Sequence, residues 1–106
     1  SVFFKTKKNK VLGIVTANKP VLAIRLPRHK VLQEVIHTVG VPIVATSANK
    51  SGEATPYAVD SIDADTKRQV DMVLDGECTY KKESTIIDAT INPWKIVREG
   101  AVKVKL

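Results

Sequence analysis

The chain has 106 residues, 43% of them hydrophobic, and carries 17 Lys and Arg against 11 Asp and Glu for a formal charge of +6. That length suits one small domain or part of a larger one, and no apolar run reaches the ~18 residues that suggest a membrane span. One cysteine, Cys78, leaves no internal disulfide, and no Cys/His cluster has metal-ligand spacing.

The opening stretch SVFFKTKKNK has no signal-peptide plan, so the cytoplasm is the default compartment and no membrane partner is expected. The positive balance favours an anionic partner: a nucleotide, RNA or an acidic surface. Most of the basic residues are lysines, among them those at 5, 7, 8, 10, 81, 82, 103 and 105, which serve phosphates as point charges and read no sequence. Aromatics are few (Phe3, Phe4, Tyr57, Tyr80, Trp94), so a base-stacking platform has little support. A solvated lysine-rich surface accounts for the same residues equally well.

In chain order, Val2, Phe3 and Phe4 make a strand-like start, and Lys7 to Lys10 read as a basic turn. Val11 to Asn18 is a short apolar segment closed by the turn Asn18-Lys19-Pro20. Val21 to Ile24 is a continuous buried strand, terminated at Pro27. Arg25 falls where that strand ends; a charge there needs a partner, and an ion pair and a ligand carboxylate both remain open. Pro27 suits a helix start, and Val31, Leu32, Val35, Ile36 and Val39 follow at helical spacing up to Gly40, a C-terminal stop. His29 and His37 read as surface or packing residues. Pro42 to Thr46 is the next buried strand, so residues 21 to 46 read as a strand-helix-strand crossover.

Residues 44 to 56, VATSANKSGEATP, then form the centre of the chain. A strand delivering a polar loop at its C-terminal end is where α/β sheets tend to bind ligands. Thr46, Ser47, Asn49 and Ser51 supply short donors and acceptors, and Gly52 lets the backbone approach an oxyanion closely. No Walker sequence occurs in the chain. Without further information, such a Ser/Asn/Gly-rich connection reads first as an ordinary loop.

Thr55 caps and Pro56 opens a short helix over Tyr57 to Ser61, and Asp63 caps another running to Gln69. Asp60, Asp63 and Asp65 read as helix-start carboxylates; no calcium-loop pattern accompanies them. Val70 to Leu74 is a strand turned by Asp75-Gly76, and Ser84 to Ala89 is a further buried strand. Trp94 to Arg98 and Ala101 to Leu106 read as a terminal hairpin about Glu99-Gly100. The expected order is β-β-α-β-α-β-β-β: an α/β fold with an open, twisted mixed sheet and short helices.

TSANKSGE resembles the Thr-Ser-Ala-Asn-x-Ser-Gly signature of the YrdC-like family, the threonylcarbamoyl-AMP synthases. Three further blocks match in order. VLAIRLP (21 to 27) is similar to the family's strand ending in Arg-x-Pro. Asp75-Gly76 with STIID (84 to 88) resembles its Asp-Gly and Ser-Thr-Val-Val-Asp stretches, and VREG (97 to 100) its final Arg-Glu-Gly. The family's upstream Pro-Thr-x-Thr-x-Tyr-Gly-Leu stretch and Lys-x-Arg pair have no counterpart here. The resemblance therefore implies a single, partial YrdC-like domain over 1-106 with the N-terminal part of the pattern absent. The loop from 77 to 83 is also poorer in glycine than the family's.

The resemblance implies chemistry in which ATP, with Mg2+, bicarbonate and L-threonine give threonylcarbamoyl-adenylate and pyrophosphate. A partner machinery would then transfer the threonylcarbamoyl group to tRNA. On matched positions, Ser47 and Asn49 would be the catalytic pair, hydrogen-bonding the nucleotide phosphates, and Thr46 would shape their loop. Ser84 and Arg98 would hold the nucleotide, and Arg25 would lie near the threonine carboxylate. Asp88 is expected to be structural. No protein-bound metal is implied.

Three readings remain open at this stage. One is the C-terminal portion of a synthase retaining half an ATP site. A second is a non-catalytic module binding tRNA or double-stranded RNA, and a third is a piece of a larger carbamoyltransferase. A sheet cut at Ser1 is also expected to leave a strand edge unpaired and to promote self-association.

Overall fold

A computed structural model describes residues 1–7, 11–76 and 78–106; the expected basic turn at Lys7 to Lys10 lies, beyond Lys7, outside them, as does Glu77. Four strands, β1 (Val2–Lys5), β2 (Val21–Ile24), β3 (Ile86–Asp88) and β4 (Lys95–Arg98), form one open sheet in the order β2-β1-β3-β4. β1 runs antiparallel to β2 and parallel to β3, and β3 runs antiparallel to β4. The fold is α/β with an open mixed sheet and short helices, as the sequence implies. The chain divides into two units: Ser1–Val44 together with Ser84–Leu106, and Ala45–Glu83.

In the first unit, the register of β1 on β2 sets Val2 against Ile24 and Phe4 against Leu22. On its other side β1 accepts main-chain bonds from Ile87 N to Ser1 O (3.0 Å) and from Ala89 N to Phe3 O (3.1 Å). The N-terminal strand is therefore interior, contrary to the expected unpaired edge at Ser1. The sheet's outer strands are β2 and β4.

The apolar segment after Val11 forms a single helical turn, α1 (Gly13–Thr16), ended by Ala17 and Asn18 in left-handed conformation. Helix α2 (Lys30–Val39) begins three residues after Pro27. His29 is its N-cap, with Nδ1 accepting from Leu32 N at 3.4 Å, while Pro27 O accepts from Gln33 Nε2 at 2.9 Å. Gly40 ends the helix as expected: its φ is +72°, and its N–H donates to Ile36 O at 3.0 Å.

Three expected strand pairings do not form. Pro42 to Thr46 and Val70 to Leu74 have extended-type sequences but no ladder partner, so no strand-helix-strand crossover follows α2. The terminal hairpin is replaced by pairing of β4 with β3, and Ala101 to Leu106 form no strand. A strand exists only where a second backbone meets its N–H and C=O groups, and an apolar run alone does not supply one.

Among the described residues no apolar side chain is fully buried, and Thr85, 6% exposed, is the single buried residue. The apolar stripe of α2 stays open to solvent at Val31, Leu32, Val35 and Val39. Fully burying a side chain of that kind contributes about 1.5–3 kcal/mol, so much of this stripe's stabilisation is unrealised in the chain by itself. Hydrogen bonds fix the sheet's local geometry instead, with Thr85 at the centre. Its Oγ1 donates to Val102 O and accepts from Gly100 N at 3.1 Å. The segment after β4 is thereby held against the start of β3.

In the second unit, the helix expected over Tyr57 to Ser61 shortens to a 3-10 turn, Val59–Ser61, with Ala58 at its N-cap. Thr55 does not cap it; its hydroxyl donates to Glu83 Oε1 at 2.9 Å. Helix α3 (Ala64–Arg68) is capped by Asp63, as expected: the carboxylate accepts from Thr66 N at 3.0 Å and from Thr66 Oγ1 at 3.1 Å. Among the described residues no helix is long and apolar enough to cross a membrane.

Candidate functional site

The residues implicated by the sequence fall into two groups, one in each unit. In the sheet unit, Ser84 immediately precedes Thr85 and β3, and Arg98 ends β4. The antiparallel register sets Ile86 opposite Arg98, with an irregularity between Ile86 and Ile87. This brings the Arg98 side chain back across the strand onto Ser84. Its Nε and Nη2 both donate to Ser84 O, at 3.1 and 2.9 Å, and Nη2 also reaches Ser84 Oγ at 3.4 Å. A two-point grip of a guanidinium on one carbonyl fixes the plane of the group as well as its position.

Ser84 Oγ also lies 3.0 Å from Ser1 Oγ, and Ser1 N donates to Thr85 O at 2.7 Å. Arg25 directly follows β2. The registers set Val2 opposite Ile24 and Ile87, and Ile86 opposite Arg98, so Arg25 and Arg98 lie at the same end of the sheet, and Arg25 makes no ion pair with any other described residue. Such an arrangement favours an anionic ligand.

In the second unit, the signature loop closes as a β-turn over Lys50 to Glu53. Glu53 N donates to Lys50 O at 3.1 Å, and Gly52 takes φ +88°. A side chain at Gly52 would meet nothing within 4 Å, so backbone conformation, not space, calls for glycine here. Thr46 and Ser47 are exposed, and neither hydroxyl is engaged by another described residue. Asn49 is half-buried: its Nδ2 donates to Lys50 O at 3.1 Å and to Glu53 O at 2.9 Å. Lys50 Nζ lies 3.1 Å from Asp63 and 3.5 Å from Asp65, tying the loop to the start of α3. Asp63 is held down at about 2, first by the Thr66 main-chain hydrogen bond and then by Lys50. The Asp63 hydrogen bond is also the chief cause that raises Lys50 above its ordinary value.

Downstream of the loop, Ala54 to Ala58 with Ser61 and Lys81 line a shallow cavity of about 330 Å³. Asp88 accepts from Thr90 Oγ1 at 2.6 Å and Thr90 N at 2.8 Å, which holds its carboxyl below the ordinary carboxylate value and turns the chain after β3.

Sequence reasoning missed two features. The sequence places Thr85 in an apolar run, although a hydroxyl inside such a run is itself a signal of a buried bond. The Lys50 link to Asp63 and Asp65 was also missed, since nothing in the spacing brings residue 50 to α3.

The Sua5/YciO/YrdC family model, described as telomere recombination, matches residues 1–100. The chain is similar to "Putative threonylcarbamoyl-AMP synthase" of Methanocaldococcus jannaschii, 38% identical over 88 residues, 82% of this chain and 41% of that protein. It is also similar to threonylcarbamoyl-AMP synthase of Schizosaccharomyces pombe, 31% identical over 90% of this chain and 24% of that one. For the Pyrococcus abyssi protein of the same name the identity is 30%, over 93% of this chain and 29% of that one. The chain thus spans well under half the length of these relatives. No solved structure matches it. The match runs through all four sequence blocks and both units, and on that extent the chain belongs to the Sua5/YciO/YrdC family.

Proposed function

We propose that the chain is part of a threonylcarbamoyl-AMP synthase and contributes nucleotide-contacting residues to it. The reaction joins two anions: a carboxylate oxygen of N-carboxy-threonine, formed from bicarbonate and threonine, attacks the α-phosphorus of ATP, and pyrophosphate leaves. Its barrier is lowered by fixed donors and positive charge around the phosphates more than by a general base. Ser47, with its exposed hydroxyl, is a donor of this kind, and Thr46 is a second. Arg98, held in plane by Ser84, supplies charge without reorganisation. Arg25 is assigned to the threonine carboxylate. Mg2+ enters with ATP as part of the substrate. The product's destination is tRNA modification, through a separate transfer machinery.

The observation that carries this reading is the signature loop, folded into a glycine-dependent turn with its Thr46 and Ser47 hydroxyls turned out to solvent. Amide NMR of the 106-residue chain titrated with Mg-ATP tests it. Shifts concentrated at Thr46, Ser47, Ser84 and Arg98 are expected. A dispersed spectrum that ignores ATP at millimolar concentration would refute nucleotide binding and return the chain to the RNA-binding reading.

A further inference from the structure

Ser84 and Arg98, the nucleotide-contacting candidates of the sheet unit, meet where the β3–β4 ladder stops. Its last rung at this end sets Ile86 opposite Arg98. Continued by two residues, that register would set Gly100 opposite Ser84. The ladder does not continue. Gly100 N donates instead to the Thr85 hydroxyl at 3.1 Å, and Ser84 O takes Nε and Nη2 of Arg98 at 3.1 and 2.9 Å. The hydroxyl's own proton goes to Val102 O, which leaves its oxygen to accept from Gly100.

These bonds close a ring. Ser84 and Thr85 are neighbours in the chain, and Thr85 Oγ1 holds Gly100. Gly100 follows Arg98 by two residues, and the Arg98 guanidinium returns to Ser84 O. Thr85, 6% exposed, is the one buried residue among those described, so water does not readily replace its hydroxyl.

We infer that Thr85 is a positioning residue for the nucleotide. Its hydroxyl ends the ladder, engages the Gly100 N–H and so keeps Ser84 O for the Arg98 guanidinium, whose plane and aim at the phosphates depend on that bond. This deepens the nucleotide reading above and rests on it for the ligand. Thr85 itself touches no ligand.

The test compares the 15N-labelled chain with Thr85→Val, Thr85→Ser and a control, Gly40→Ala, which strains the backbone at φ +72° in the same unit but at the end of α2. The reporter is the Arg98 Nε proton, donated to Ser84 O. In the parent, Thr85→Ser and Gly40→Ala it is expected to exchange slowly with water, and in Thr85→Val to exchange freely. Mg-ATP should bind Thr85→Val about tenfold more weakly than the parent, the loss that follows when one charge-assisted hydrogen bond is misaimed. Thr85→Ser should restore the parent's affinity. A second measurement needs no substitution: in native-state exchange of the parent at low urea, the Gly100 N–H and the Arg98 Nε–H should open together, with the same urea dependence.

An Arg98 Nε proton that stays protected in folded Thr85→Val, or that is lost equally in Gly40→Ala, would overturn the positioning role. So would ATP binding by Thr85→Val as tight as the parent's, or separate opening of the two protons in the parent. A parent whose Arg98 proton behaves as expected but whose resonances ignore millimolar Mg-ATP would instead refute the nucleotide reading, and with it the part given to Thr85 in binding.

Discussion

Removing the Thr85 hydroxyl should loosen the sheet unit at the point where Arg98 is held. Thr85→Val keeps the shape of the side chain and deletes Oγ1, which donates to Val102 O and accepts from Gly100 N at 3.1 Å. Thr85 is 6% exposed, so water does not readily replace the lost group. Gly100 is half-buried and its N–H loses its partner, whereas Val102 is exposed and its carbonyl can turn to solvent. One orphaned donor costs about 1–3 kcal/mol, and the second bond adds less because its acceptor rehydrates. A net loss of about 2 kcal/mol is expected.

With a urea slope near 1 kcal/mol/M for a chain this small, the unfolding midpoint should fall by about 2 M. Circular dichroism measures that midpoint, and hydrogen exchange at the Gly100 amide reports the local loss. Thr85→Ser keeps the hydroxyl and should retain Gly100 protection, losing only a methyl group worth about 0.8 kcal/mol. A valine variant as stable as the parent, or a serine variant less stable than valine, would refute the assignment of stability to these bonds.

Three further outcomes follow from the local geometry. His29→Asp should strengthen the cap of α2 by about 0.5–1 kcal/mol, because a carboxylate accepts better than an imidazole nitrogen at 3.4 Å and favours the helix N-terminus; thermal unfolding followed at the helix signal checks this. Gly52→Ala should cost about 1 kcal/mol through its φ of +88°, whereas Gly76→Ala, with no neighbour within 4 Å and no positive φ, should be nearly neutral in the same urea titration. Asp63 is depressed from 3.8 to about 2, so its contribution is complete above pH 3.8 and is lost as pH falls towards 2. The Thr66 amide shift should follow that titration, and Asp63→Asn should abolish it.

Much of the sheet was legible because its strands carry local signals. Val21 to Ile24 is an unbroken apolar run ended by a charge, and Gly40 and Asp63 bracket helices in ways that their own backbone and side-chain chemistry dictates. Pro42 to Thr46 and Val70 to Leu74 carry similar apolar signals and form no strand, because pairing depends on a distant backbone that a local pattern cannot supply. Of the candidate site, the exposed hydroxyls of Thr46 and Ser47 follow from a polar loop beside a glycine. The grip of Arg98 on Ser84 was not legible, since it depends on the antiparallel register of β4 and the irregularity between Ile86 and Ile87. The bonds of Asn49 Nδ2 to Lys50 O and Glu53 O were not legible either, because residue type does not say which partners a carboxamide meets.

The interior position of β1 has a consequence for how this chain comes off the ribosome. Its parallel pairing with β3 sets Val2 opposite Ile87, a partner far along the sequence. During synthesis β1 can meet β2 early, but its other flank must wait until β3 has emerged, with the whole Ala45–Glu83 unit made in between. Such long-range closure is slow, and an open strand flank is the feature that other chains recognise. The chain is thus most exposed to mispairing before residue 86 has been made.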